Sequence, residues 1–160
     1  MSNPFSYSRL IQRLSQAESQ VTRRLGALLA GGDCTVDEWR VMVLLADGQG
    51  HPMREVSDFS LLPAANATRL IDRMTSANLV HRRVDPDDRR RVLVFFTPRG
   101  RKRFDGLAPI VENGYVDLAA DAADDLEKML TQVLALLSRD PTRSVIHEAA
   151  SFDDFAIDNS

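Results

Sequence analysis

The chain has 160 residues, 44% hydrophobic and 27% charged, with a formal net charge of -3, which suits one soluble domain or one compact domain plus an oligomerisation element. No apolar run approaches the roughly 20 residues needed to span a bilayer, and MSNPFSYSRL lacks the basic start and apolar centre of a signal peptide, so a cytoplasmic location without membrane contact is expected. A single cysteine, Cys34, excludes an internal disulfide.

Tyr7, Leu10, Ile11, Leu14, Val21, Leu25 and Leu28 recur at threes, fours and sevens, which predicts an amphipathic helix over about residues 5–30, ended by AGGDCT. Thr35 and Glu38 have capping-box spacing and open a second helix through VDEWRVMVLLAD, closed by Gly48 and Gly50. MREVSDFS is long enough for two helical turns after Pro52. PAANATRLIDRMTSA predicts a longer helix with Pro63 in its first turn and Leu70, Ile71 and Met74 facing inward. Asn78 follows it, where a residue tolerant of the left-handed conformation is wanted.

The period then changes. VHRRV and RVLVFFT are short and rich in β-branched and aromatic residues, and DPDDRR separates them, so they predict a two-stranded hairpin with a charged tip. Thr97 and Pro98 start a helix carrying Phe104, Leu107, Val111, Tyr115 and Leu118. A last helix, capped near Asp121, carries Leu126, Met129, Leu130, Val133 and Leu137. The predicted fold is mainly α: a winged helix-turn-helix flanked by long N- and C-terminal dimerisation helices. Residues 1–32 and 98–138 are expected to form the dimerisation region, 33–97 the winged module, and 139–160 an acidic tail.

Net charge conceals segregation. Between Arg54 and Arg103 twelve Arg and Lys residues face six acids, while from Phe104 to Ser160 three face twelve. A basic working face on an acidic body has this pattern, although so does an ordinary solvated surface. Groove geometry supplies the use: a helix fits the major groove of B-DNA, and an arginine-bearing loop enters the narrow, electronegative minor groove.

The run LPAANATRLIDRMTSANLVHRRVDPDDRRRVLVFFTPRG resembles the core of the MarR family of bacterial transcription regulators. An acid-x-Arg wing is followed by an apolar strand and a Thr-Pro-x-Gly helix start, here Asp88, Arg90, Val92 to Phe96, Thr97, Pro98 and Gly100. The resemblance covers roughly Leu10 to Leu137. It implies a homodimer with interlocked terminal helices, each subunit offering a recognition helix and a wing to half of a pseudo-palindromic operator in double-stranded DNA. Family members often start the recognition helix with serines or threonines. Pro63, Ala64, Ala65 and Asn66 stand there instead, so base readout is expected to lean on Asn66, Thr68, Arg69 and apolar contact with thymine methyls.

On this reading Arg90, with Arg89 and Arg91 beside it, enters the minor groove with Asp88 as its orienting partner, and Arg54 and Arg73 clamp phosphates. The resemblance further implies a small aromatic or anionic effector, with Trp39, Arg40 and Phe104 as lining residues, although large aromatics at helical spacing also belong in a core. Enzymatic readings find no support. His51, His81 and His147 are scattered, no metal spacing or glycine-rich phosphate loop is present, and Asp124-Asp125 and Asp153-Asp154 diverge rather than pair. No cofactor is expected. Two other functions stay open: a thiol-based sensor acting through Cys34, and a winged-helix module for protein partners alone.

Overall fold

The computed structural model describes residues 4–119 and 123–138. Helix α1 spans Pro4–Leu29 and runs into one 3-10 turn, Ala30–Gly32. Helix α2 is Val36–Leu45, strand β1 His51–Pro52, helix α3 Met53–Ser60 and helix α4 Ala64–Ser76. Strands β2, Val80–Val84, and β3, Val92–Phe96, precede helices α5, Pro98–Ala119, and α6, Ala123–Leu137. None of the described helices is long and apolar enough to cross a membrane.

Local chemistry sets most boundaries. The Thr35 hydroxyl accepts from the Glu38 N–H at 3.2 Å while the Glu38 carboxylate accepts from the Thr35 N–H at 2.9 Å, so α2 starts with a complete capping box. Pro63 stands one position earlier than the pattern suggests. It is the N-cap of α4, and its carbonyl accepts from the N–H groups of Asn66 and Ala67. Asn78 adopts φ 56°, the left-handed conformation expected of it. Leu61, which the sequence pattern does not mark, closes α3 at φ 58°, and Leu62 and Ser57 exchange hydrogen bonds across the turn.

The expected hairpin forms, with Val80 opposite Phe96 and Val84 opposite Val92. It is not alone: β1 pairs with β3 through His51 and Val94, making a three-stranded antiparallel sheet in the order β1-β3-β2. Two residues, one of them proline, carry no alternation from which such a strand can be read. The core gathers Trp39, Met42 and Leu45 of α2, Val56 of α3, Leu70, Ile71 and Met74 of α4, Val80 and Val94 of the sheet, and Leu107 of α5. The helix-turn-helix and the root of the wing therefore share one apolar centre.

The chain divides into two compact units with the boundary after Tyr115. Within the second, α6 repeats Leu126, Met129, Leu130, Val133 and Leu137 at helical spacing. The expected cap at Asp121 and the tail from residue 139 lie outside the described residues.

Candidate nucleic-acid interface

The wing loop is held by its acids. Asp85 is only 8% exposed; its Oδ1 accepts from the Asp87 N–H at 2.9 Å and its Oδ2 lies 3.8 Å from the Arg91 guanidinium. The Asp85 N–H donates to the Arg91 carbonyl, and the Arg91 N–H to the Asp88 carbonyl, both at 2.9 Å. These bonds close the loop without regular strand pairing, the use to which short acidic side chains are suited.

The Asp88–Arg90 tie differs from the expectation. Asp88 Oδ1 accepts from the Arg90 backbone N–H at 3.0 Å instead of gripping the guanidinium. A side chain two residues away meets its neighbour's amide more readily than the end of a long arginine. The loop thus fixes the backbone of Arg90 and leaves its charge unspent. Among the described residues Arg89 and Arg90 form no ion pair, whereas Arg91 faces Asp85 and serves the loop itself.

Helix α4 buries Ala67, Leu70, Ile71 and Met74 and exposes two edges. Asn66, Arg69 and Arg73, at spacings of three and four, share one, and line a shallow cavity of about 260 Å³ with Asp37, Leu62 and Leu70. Thr68 and Asp72 share the other. The Thr68 hydroxyl donates to the Ala64 carbonyl at 2.9 Å, so toward a base it presents an acceptor. Asp72 pairs with Arg82 of β2 at 2.7 Å and not with Arg69 or Arg73, which are without ion-pair partners among the described residues. Arg54, on α3, lies 3.8 Å from Asp58 and is almost fully exposed, a loose pairing.

Part of the basic excess is structural. Arg101 donates to the Ala46 carbonyl at 2.7 Å and to Asp105 at 3.1 Å, and Arg103 donates to the carbonyls of Gly32 and Asp33, so these two α5 arginines cap the ends of neighbouring segments. The sequence pattern does not separate them from the exposed wing arginines, because the separating feature is the position of carbonyls some 55 to 71 residues away.

Two of the three residues proposed for an effector, Trp39 and Phe104, are in contact already. Trp39 and Phe104 stack with centroids 5.2 Å apart and planes 19° from parallel, Phe104 continues to Phe96 at 6.0 Å, and the Arg101 guanidinium lies 5.8 Å over the Phe104 ring. Arg40 reaches Asp37 at 3.5 Å and Glu18 at 3.8 Å.

Two titratable groups beyond the basic face also stand out. Burial pushes the Cys34 thiol up to about 11, with Glu38 adding to the rise, Arg103 opposing it and Asp33 adding further. Such a thiol is un-ionised near neutrality, unlike the thiolate a sensor needs. His51 is held between carboxylates: Nδ1 lies 2.9 Å from Glu55 and Nε2 3.1 Å from Asp47. Burial alone lowers its pKa, but the hydrogen bonds to Glu55 and Asp47 together outweigh it and hold the imidazole above its ordinary value. The even Asp47, His51, Glu55 spacing was the available signal for this clamp.

Residues 33–91 match the model of the MarR family. The chain is similar to the HTH-type transcriptional regulator FarR of Neisseria gonorrhoeae, 24% identical over 141 residues that cover 88% of each chain. Among solved structures it is similar to a mutant of MarR from E. coli complexed with operator DNA, with TM-score 0.70 and 25% identity over 83% of this chain and 99% of that one. It is also similar to NadR in complex with 4-hydroxyphenylacetate, with TM-score 0.69 and 23% identity over 79% of this chain and 89% of that one.

Proposed function

Because this chain belongs to the MarR family, through residues 33–91, and is a DNA-binding transcriptional regulator, we propose that it acts in the cytoplasm as a homodimeric repressor on a pseudo-palindromic operator. A small aromatic anion releases it. The observation that carries this reading is the wing tip: Arg89 and Arg90 stand on a loop closed by Asp85 and Asp88, without ion-pair partners among the described residues. Ordering a loop around unspent guanidinium groups has little value for folding and much for an electronegative groove. Asn66, Thr68 and Arg69 are assigned to base edges, and Arg54 and Arg73 to phosphates.

Homodimerisation rests on apolar surface. Tyr7, Leu10, Ile11 and Val21 of α1 are exposed, as are Ile110 and Tyr115 of α5. Two copies place two recognition helices at half-sites one helical turn apart, about 34 Å.

The decisive experiment titrates the protein with DNA from upstream of its own gene and with scrambled DNA across a salt series. Sequence-dependent binding whose log affinity falls with log salt by about 0.9 per phosphate contacted supports the regulator, and Arg90→Ala then weakens operator binding by about tenfold. Binding that ignores sequence, or an unchanged Arg90→Ala affinity, overturns it.

For the effector, the relative bound to 4-hydroxyphenylacetate supports an aromatic anion. Such a ligand parts the Trp39–Phe104 stack and meets Arg40. As Trp39 is the only tryptophan of the chain, its fluorescence reports the event directly: saturable quenching by aromatic acids together with operator release is expected, and quenching without release rejects the role.

A further inference from the structure

We infer that Arg82 and Asp72 are positioning residues for DNA binding, their ion pair setting the angle of the wing against the recognition helix α4. This inference rests on the DNA-binding reading above.

Along β3 the hairpin is held by β1, which pairs with Val94 and Leu93, but its outer strand β2 is poorly anchored beyond Val80. In β2 only Val80 is buried, and the four residues that follow it, His81, Arg82, Arg83 and Val84, are all exposed. In β3 only Val94 is fully buried. Among the described residues, the bridge from Arg82 Nη1 to Asp72 Oδ1, at 2.7 Å, is the one ion pair joining the hairpin strands to another element. It lies halfway along β2, between the buried root and the tip. Val84, at the far end of β2, stands four strand steps of about 3.3 Å, roughly 13 Å, beyond Val80, so a turn of about ten degrees there moves it by more than about 2 Å. That displacement is enough to break a hydrogen bond.

The location of Asp72 gives the pair a second consequence. It lies beside Arg73 and three residues after Arg69, so a carboxylate stands within the surface assigned to DNA. Left unpaired it repels phosphate; neutralised by Arg82 it holds the wing in place. With side chains 33% and 57% exposed, the pair contributes little to global stability, and its main effect is orientation.

A different role for Arg82, direct contact with a phosphate, makes the opposite prediction. If Arg82 only touches DNA, Asp72→Asn frees it and removes a repelling charge, so operator binding tightens. If the pair positions the wing, Asp72→Asn weakens operator binding although it removes a negative charge from the DNA surface. The test measures full-length protein against a fragment selected from genomic DNA for wild-type binding, and against scrambled DNA, by fluorescence anisotropy. Asp72→Asn and Arg82→Gln are each expected to weaken operator binding by about fivefold, the upper range for a partly exposed pair, and the double variant to be no weaker than either. Affinity of Asp72→Asn for scrambled DNA stays level or rises, and thermal unfolding midpoints stay within a few degrees of wild type, which separates misplacement from unfolding. Equal or tighter operator binding by Asp72→Asn, or additive losses in the double variant, overturns the inference alone. Wild-type protein that selects no fragment overturns the regulator reading and this inference with it.

Discussion

Cys34 is buried with its thiol held at about 11, so at a pH of about 7.5 almost none of it is thiolate. Cys34→Ser should leave operator affinity and its response to peroxide unchanged, and alkylation of native Cys34 by iodoacetamide at that pH should be much slower than that of the unfolded chain. A peroxide response lost in Cys34→Ser would restore the thiol-sensor reading. His51 behaves differently, because both ring nitrogens meet carboxylates and only the imidazolium donates to both. Its folded pKa is raised, so the stability it supplies is fully present below the unfolded value near 6.5 and is lost as pH rises through the raised value. Relative to wild type, His51→Gln should therefore lower the unfolding midpoint more at a pH of about 5.5 than at about 9; an equal loss at both would show that the clamp does not depend on charge.

At the scale of elements, the join between α4, the wing and α5 depends on backbone approach. Thr97 donates its hydroxyl to the Asn78 carbonyl at 2.6 Å and accepts from the Gly100 N–H at 3.0 Å, while its own N–H donates to the Leu79 carbonyl. A Cβ at Gly100 would overlap that same Leu79 carbonyl, which as backbone has no rotamer to escape into. Gly100→Ala is expected to cost about 3 kcal/mol or more in chemical denaturation. A loss below about 1 kcal/mol would mean that the wing root and the start of α5 move apart easily. The Thr-Pro-x-Gly pattern therefore has a structural reason: threonine bonds both elements and glycine lets them meet.

At the scale of the whole molecule, apolar surface remains that a monomer leaves wet. Ile11 of α1 is 49% exposed and Tyr7 63%. In the proposed dimer these side chains are covered, so Ile11→Glu should shift the mass measured by light scattering at micromolar concentration toward the monomer. It should also weaken operator binding by about tenfold or more, since one subunit then reads one half-site. Wild-type protein of monomer mass would refute the dimer.

Much of the fold and the basic character of one segment could be read before any coordinates. The capping box at Thr35, the left-handed Asn78, the hairpin and the Thr97 cap are all local: each depends on residues within a few positions, where propensity and hydrogen-bonding reach are sufficient. The acid-x-Arg wing was legible for the same reason, and so was the basic segment as a whole. Which arginines of that segment are paired within the chain was not. Arg101 and Arg103 go to carbonyls of distant turns, Arg82 to Asp72, and Arg91 to a buried Asp85, pairings fixed by packing between separate elements. Strand β1 is similar, two residues made a strand by the edge of β3. Short-range chemistry is written along the chain, whereas a long-range pair exists only once the core has brought its members together.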